Sequence, residues 1–182
     1  MRFTKLAVAA FALVLAGCST TNSIPYKAST ANVIALQTAL KQSNAKVSLG
    51  SFSMAKGVEE ELLCRLMGPV KVAPGKTLSA YIKDAFQEEL FMAQVYDPTA
   101  PISIEGTIER LSFSSVTPAN WDIAMRVSSN RSPGFSVSVK YNYNTSWDAW
   151  SACRNVADAF APAVQELLRQ VVNHPQFAQL VR

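Results

Sequence analysis

Hydrophobic positions along this chain fall into three patterns. The first is an unbroken apolar run, Leu6 to Leu15, preceded by Arg2 and Lys5 and followed at once by Ala16-Gly17-Cys18. The second repeats in steps of three and four and predicts helices. Val33, Leu36 and Leu40 follow a candidate cap at Ser29 or Thr30, and Lys41, Gln42 and Asn44 mark that helix's end. Leu78, Ile82, Ala85, Phe86 and Leu90 stripe a helix over Thr77–Ala93, with Lys83, Asp84, Gln87 and Glu88 opposite. Val156, Phe160, Val164, Leu167, Leu168 and Val171 stripe another over Ala152–Asn173, where Pro162 removes the bond to the Asp158 carbonyl and predicts a kink or a split.

The third pattern alternates, as half-buried strands do. Trp121, Ile123, Met125 and Val127 form one inward row, and Phe135, Val137, Val139, Tyr141 and Tyr143 form the next. Their opposite faces are polar, with Asp122, Arg126 and Ser128, then Ser136, Ser138, Lys140, Asn142 and Asn144. Before them, Ile102, Ile104 and Ile108 share a parity that Leu111 and Phe113 reverse, so a bulge or bend belongs near Arg110. Lys46 to Met54 switches parity in the same way, with Gly50 at the switch. Leu62 to Val72 is apolar on both parities, which predicts a central strand that Pro69 limits.

Between these elements, Ser19 to Ala28 has little to bury and predicts a flexible spacer of about 30 Å at full extension. Gly57 to Glu61 reads as a solvated turn, and Glu88 and Glu89, pointing about 100° apart on a helix, as a solvated face. A short helix over Pro175–Val181, with Pro175 first, closes the chain, and His174 serves as its boundary. The order predicts a two-layer α+β domain. Its sheet is largely antiparallel, two long helices pack on one face, and short helices stand at both ends.

The apolar run is too short to cross a hydrocarbon core needing roughly twenty residues. Its positive flank, small residues and thiol resemble the signal of bacterial lipoproteins, which implies removal of residues 1–17 and acylation of Cys18. Residues 18–28 are then the tether and 29–182 the single periplasmic domain. In that family's sorting rule Ser19, not Asp, favours the outer membrane, with the anchor on the periplasmic side and palmitate among its chains. An ordinary secretory signal is the alternative. Loss of Arg2 and Lys5 from 17 basic residues leaves 15 against 13 acidic ones, scattered without a cluster, so no nucleic-acid surface is expected.

Of three cysteines, acylation of Cys18 leaves Cys64 and Cys153, which an oxidising periplasm is expected to pair. Two buried free thiols are the alternative. Together with His174, the single histidine, they are too few for a structural zinc site. Nucleophile-elbow, phosphate-loop and zinc-protease spacings are absent from the sequence, so neither an enzyme nor a cofactor is expected.

The lipobox, the Thr77–Ala93 helix leading to Tyr96, the meander and Asn155-Val156-Ala157-Asp158-Ala159 resemble YajG-type outer-membrane lipoproteins. The layout is more loosely similar to the amino-terminal α/β domain of TolB and to transport-accessory lipoproteins. The Cys64/Cys153 pair and the residues before Lys46 depart from that family, which supplies no active site to carry over. The resulting expectation is a non-enzymatic envelope protein that holds a component through its wet sheet face, a strand edge, or Trp147 and Trp150 flanking Asp148. The alternative is an accessory of lipid or small-molecule transport, with Met54, Met67, Met92 and Met125 as adaptable lining.

Overall fold

The computed structural model describes residues 20–21, 25–41 and 45–182. Its elements are β1 (Thr20–Thr21), α1 (Thr30–Lys41), β2 (Ser48–Met54), β3 (Val70–Lys71), α2 (Leu78–Met92), β4 (Ser103–Ser114), β5 (Asn120–Ser129), β6 (Ser132–Asn142), α3 (Ala149–Val172) and a closing 3-10 turn, Phe177–Val181. Four strands form an open sheet in the order β2-β4-β5-β6, and the helices pack against it. The domain is the expected two-layer α+β fold. Within this four-stranded sheet the β2–β4 pair alone is parallel, because α2 carries the chain back across the sheet between them.

Both predicted parity switches are bulges. The β2–β4 register shifts between Leu49 and Phe52, which turns Phe52 and Met54 to the same side as Leu49. Gly106 makes room there: a Cβ on it would stand 2.5 Å from the Phe52 ring. The β4–β5 register shifts between Ile108 and Arg110, so that Leu111 follows Ile108 into the core. Gly134, at φ +73°, closes the β5–β6 hairpin where a Cβ would meet the Val127 carbonyl oxygen at 1.7 Å.

The α2 and α3 stripes meet the sheet through aromatic rings. Trp121 is fully buried, 4.8 Å from Phe160 and 5.1 Å from Phe113 between ring centroids. Its indole N–H donates to the Val156 carbonyl at 2.9 Å, which satisfies its one polar atom. Helix α3 runs unbroken through Pro162, so the predicted split does not occur. Buried side chains on both sides of Pro162, from Val156 to Val172, keep the helix continuous at the expense of one backbone bond.

Several expectations need correction. Leu62–Val72 is no central strand: Leu63 and Pro69 form an isolated bridge, and Val70–Lys71 pairs only with β1. Left-handed backbone at Arg65 (φ 43°) and Leu66 (φ 61°) turns the segment into a hairpin, so Cys64, Val70 and Val72 are buried while Leu63 and Leu66 are exposed. Glu60 is not simply solvated. Its Oε1 accepts from the Ser79 amide at 2.8 Å and the Ser79 hydroxyl at 2.5 Å, assisting the Thr77 cap of α2. Burial opposes ionisation, but these hydrogen bonds outweigh it and hold the Glu60 carboxyl below its ordinary value.

Pro175 precedes the closing turn instead of opening it. His174 is the expected boundary: its ring stacks on Phe135 at 3.9 Å and its Nδ1 accepts from the Gln176 amide at 3.3 Å. The predicted spacer is partly built into the domain, because Thr20 pairs with Val70, Thr21 pairs with Lys71, and Lys27 accepts from Gln165 through its carbonyl.

Candidate functional site

Cys64 and Cys153 form the predicted disulfide, with Cα atoms 5.9 Å apart across a sequence separation of 89. It fastens the 62–70 hairpin to the start of α3, which Asp148 caps by accepting from the Ser151 amide at 2.7 Å. The same Asp148 carboxylate also accepts from the Ser146 hydroxyl at 2.7 Å. The amide and hydroxyl bonds at the cap hold its carboxyl below the ordinary aspartate value. Cys18 and the signal segment lie outside the described residues.

Arg65 joins three loops beside the disulfide. Its Nε donates to the Ser115 hydroxyl at 3.0 Å, its Nη1 to the Trp147 carbonyl at 3.1 Å, and its Nη2 to the Ser115 carbonyl. The Thr145 hydroxyl donates to that same Ser115 carbonyl at 2.6 Å. These bonds fix the loops around a cleft of about 310 Å³ lined by Arg65, Val116, Thr117, Thr145, Ser146 and Trp147.

What this scaffold presents to solvent is apolar. Leu66 and Trp147 are as exposed as free side chains (103% and 102%), and Leu63, Val116 and Trp150 are exposed at 72%, 60% and 51%. Among the described residues these are five of the eight large hydrophobics that remain exposed, gathered on one end of the fold. An apolar side chain on a loop fixed by a disulfide and an Arg clamp has not simply failed to find the core. Clustered in this way, such side chains make this end the candidate contact surface. Trp147 and Trp150 were legible as contact candidates, whereas Leu63, Leu66 and Val116 gave no sequence signal. Leu63 and Leu66 read as strand interior, and only the left-handed turn at Arg65-Leu66 brings them out.

A second polar constellation lies under α1. Glu89 is fully buried, contrary to the solvated face expected of it. Its Oε1 accepts from the Tyr26 hydroxyl at 2.5 Å, the Asn32 side-chain amide at 3.0 Å and the Ser29 backbone amide at 3.3 Å. Its Oε2 and the Asn32 Oδ1 are buried without a partner. Burial raises the Glu89 carboxyl above its ordinary value, although the bonds from Tyr26, Asn32 and Ser29 pull it the other way. Burial and the adjacent Glu89 likewise raise Tyr26, and burial raises Tyr81 to about 12.

A cleft of about 330 Å³ opens beside this cluster, lined by Tyr26, Lys76, Tyr81, Asp84 and Glu88 among others. The cluster's bonds run from the amino-terminal segment to α2 and α3, so it acts as a buried tie between them. None of the clefts at either location is lined by a methionine. Met125 lies in the core and Met54 and Met67 pack against it.

On the opposite face of the sheet the charges answer one another. Arg110 pairs with Asp122 at 2.9 Å, Arg126 pairs with Glu109 at 3.3 Å, and the Ser136 hydroxyl donates to Glu109 at 3.1 Å. Among the described residues no group of His, Cys, Asp and Glu is placed to hold a metal ion, and no helix is long and apolar enough to cross a membrane.

No family model matches the chain, and no curated protein matches it. Among solved structures it is similar to protein XCC0632 from Xanthomonas campestris, described as a DUF330 protein. The TM-score is 0.44 and the identity 9%, over 85% of this chain and 94% of that one. No residue of the tip or of the Glu89 cluster takes a role from that likeness.

Proposed function

We propose that this chain is a lipoprotein anchored through Cys18 to the outer membrane on its periplasmic side, and that it works by binding, without catalysis. The observation that carries the binding role is the exposed apolar tip of Leu63, Leu66, Val116, Trp147 and Trp150. The anchor rests on the signal pattern that ends at Cys18. A disulfide at Cys64–Cys153 suits the oxidising compartment to which such a signal leads.

The tip is a better contact surface than the wet sheet face. Four charges of that face, Arg110 with Asp122 and Arg126 with Glu109, are already paired within the sheet, so a partner must displace existing bonds to use them. The tip instead offers apolar area that gains about 25 cal/mol for each Å² removed from water. Its Trp side chains belong to the type that dominates interface energetics. Three side chains that catalysis could draw on have structural partners: His174 stacks on Phe135, Asp122 pairs with Arg110, and Asp148 caps α3.

Photo-crosslinking in intact cells tests this choice of surface. A photoreactive phenylalanine analogue at position 147 is expected to form adducts with an envelope component, and the same analogue at position 140, on the wet face, is expected to form none. Adducts at position 140 with none at position 147 would move the contact to the sheet.

A further inference from the structure

We propose that the Leu66/Trp147 tip docks into the interfacial layer of the same leaflet that holds the Cys18 anchor, so that a bilayer surface is its occupant. This rests on the lipoprotein reading above and adds the identity of what the tip touches.

The direction of β1 carries the inference. Thr20 and Thr21 run parallel to Val70 and Lys71. From Thr21 back to Thr20 the chain therefore runs in the direction from Lys71 to Val70, toward the hairpin turn. That hairpin is closed by the Val70 amide on the Leu62 carbonyl at 2.8 Å and the Cys64 amide on the Gly68 carbonyl at 3.1 Å. Leu66 stands at its turn.

Chain lengths then set how far apart anchor and tip can be. Cys18 precedes Thr20 by two residues, about 7 Å at full extension, and Leu66 precedes Val70 by four, about 13 Å. With the roughly 5 Å that separates paired strands, anchor and tip are thus within about 25 Å of each other. That is less than the roughly 30 Å thickness of the hydrocarbon core itself. A free spacer of about 30 Å would leave the domain's orientation open, but pairing at Thr20 removes that freedom and turns the hairpin end toward the anchor.

The chemistry of the tip fits an interfacial layer. Leu63, Leu66 and Val116 supply apolar side chains, and Trp147 and Trp150 are the amphipathic rings that settle at headgroup depth. Arg65 is the charged residue in the lining of the tip cleft, and its guanidinium is turned inward onto Ser115 and Trp147 carbonyls. The hairpin contributes no acidic residue to this end, and Asp148, between the two tryptophans, is held at the α3 cap by bonds from Ser146 and Ser151.

The test uses the acylated mature protein reconstituted in phosphatidylethanolamine–phosphatidylglycerol vesicles, with chains brominated close to the headgroup. Tryptophan emission is expected to be quenched relative to unbrominated vesicles, Trp147→Phe is expected to reduce the quenching, and Trp147→Phe with Trp150→Phe is expected to abolish it. Trp121 is fully buried and supplies an unquenched baseline. Leu66→Asp, which leaves every tryptophan in place, is expected to reduce quenching with thermal unfolding unchanged.

Protein that floats with the vesicles while its emission stays unquenched overturns the docking and leaves the anchor standing. The tip's occupant is then a protein. Protein that does not float, with no diacylglycerol on Cys18 by mass, removes the anchor and the docking together.

Discussion

The Glu89 carboxyl accepts three hydrogen bonds on one oxygen and none on the other, in a position sealed from solvent. Burial raises its folded-state value. Below the ordinary glutamate value of about 4.3 it is protonated both folded and unfolded, and its stabilising contribution is complete. As pH rises through the raised folded value, the unfolded chain ionises freely while the folded chain cannot, and that contribution is lost. Glu89→Gln keeps an oxygen for Tyr26 and stays neutral. Thermal unfolding between pH 4 and pH 8 should show the variant gaining on the native chain as pH rises, at about 2–4 °C per kcal/mol. A difference that stays constant or reverses would contradict the assignment. The position was legible in part: Ile82, Ala85, Phe86 and Glu89 share a helical face, so spacing alone placed Glu89 inward. Its charge argued the opposite, and its partners Tyr26 and Asn32 lie about 60 residues away, beyond any local pattern.

At the scale of elements, periodicity found what packing alone determines. The α2 and α3 stripes, the meander, and both bulges follow from the requirement that one face of each element meet the core. The 62–70 hairpin was hidden because its shape comes from a covalent tie and left-handed backbone, neither of which leaves a periodic trace. Replacing Cys64 and Cys153 with Ser opens a loop closed across 89 residues. That should cost about 2–5 kcal/mol in denaturant unfolding. It should also expose the Arg65 peptide to trypsin under conditions where the native chain resists cleavage. Unchanged stability together with unchanged resistance would mean that the Arg65 hydrogen bonds hold the hairpin without the disulfide.

Across the whole molecule the two ends differ in kind. On the wet sheet face Arg110 is matched by Asp122 and Arg126 by Glu109, and the Glu89 cluster ties the amino-terminal segment onto α2 and α3. The disulfide end gathers the exposed apolar side chains and receives the start of the described chain through β1. In the proposed arrangement, an acyl anchor at Cys18 turns this contact surface toward the membrane that carries it. Two or more acyl chains hold firmly, at about 0.8 kcal/mol per buried CH₂, whereas the tip alone is a weak interfacial contact. Anchorage therefore depends on the thiol and orientation on the tip. The most direct measurement is metabolic palmitate labelling combined with membrane fractionation of the native chain and Cys18→Ser. The account predicts a labelled native chain in the outer-membrane fraction and an unlabelled variant released from it. An unlabelled native chain, or a Cys18→Ser chain that still fractionates with the outer membrane, would contradict it.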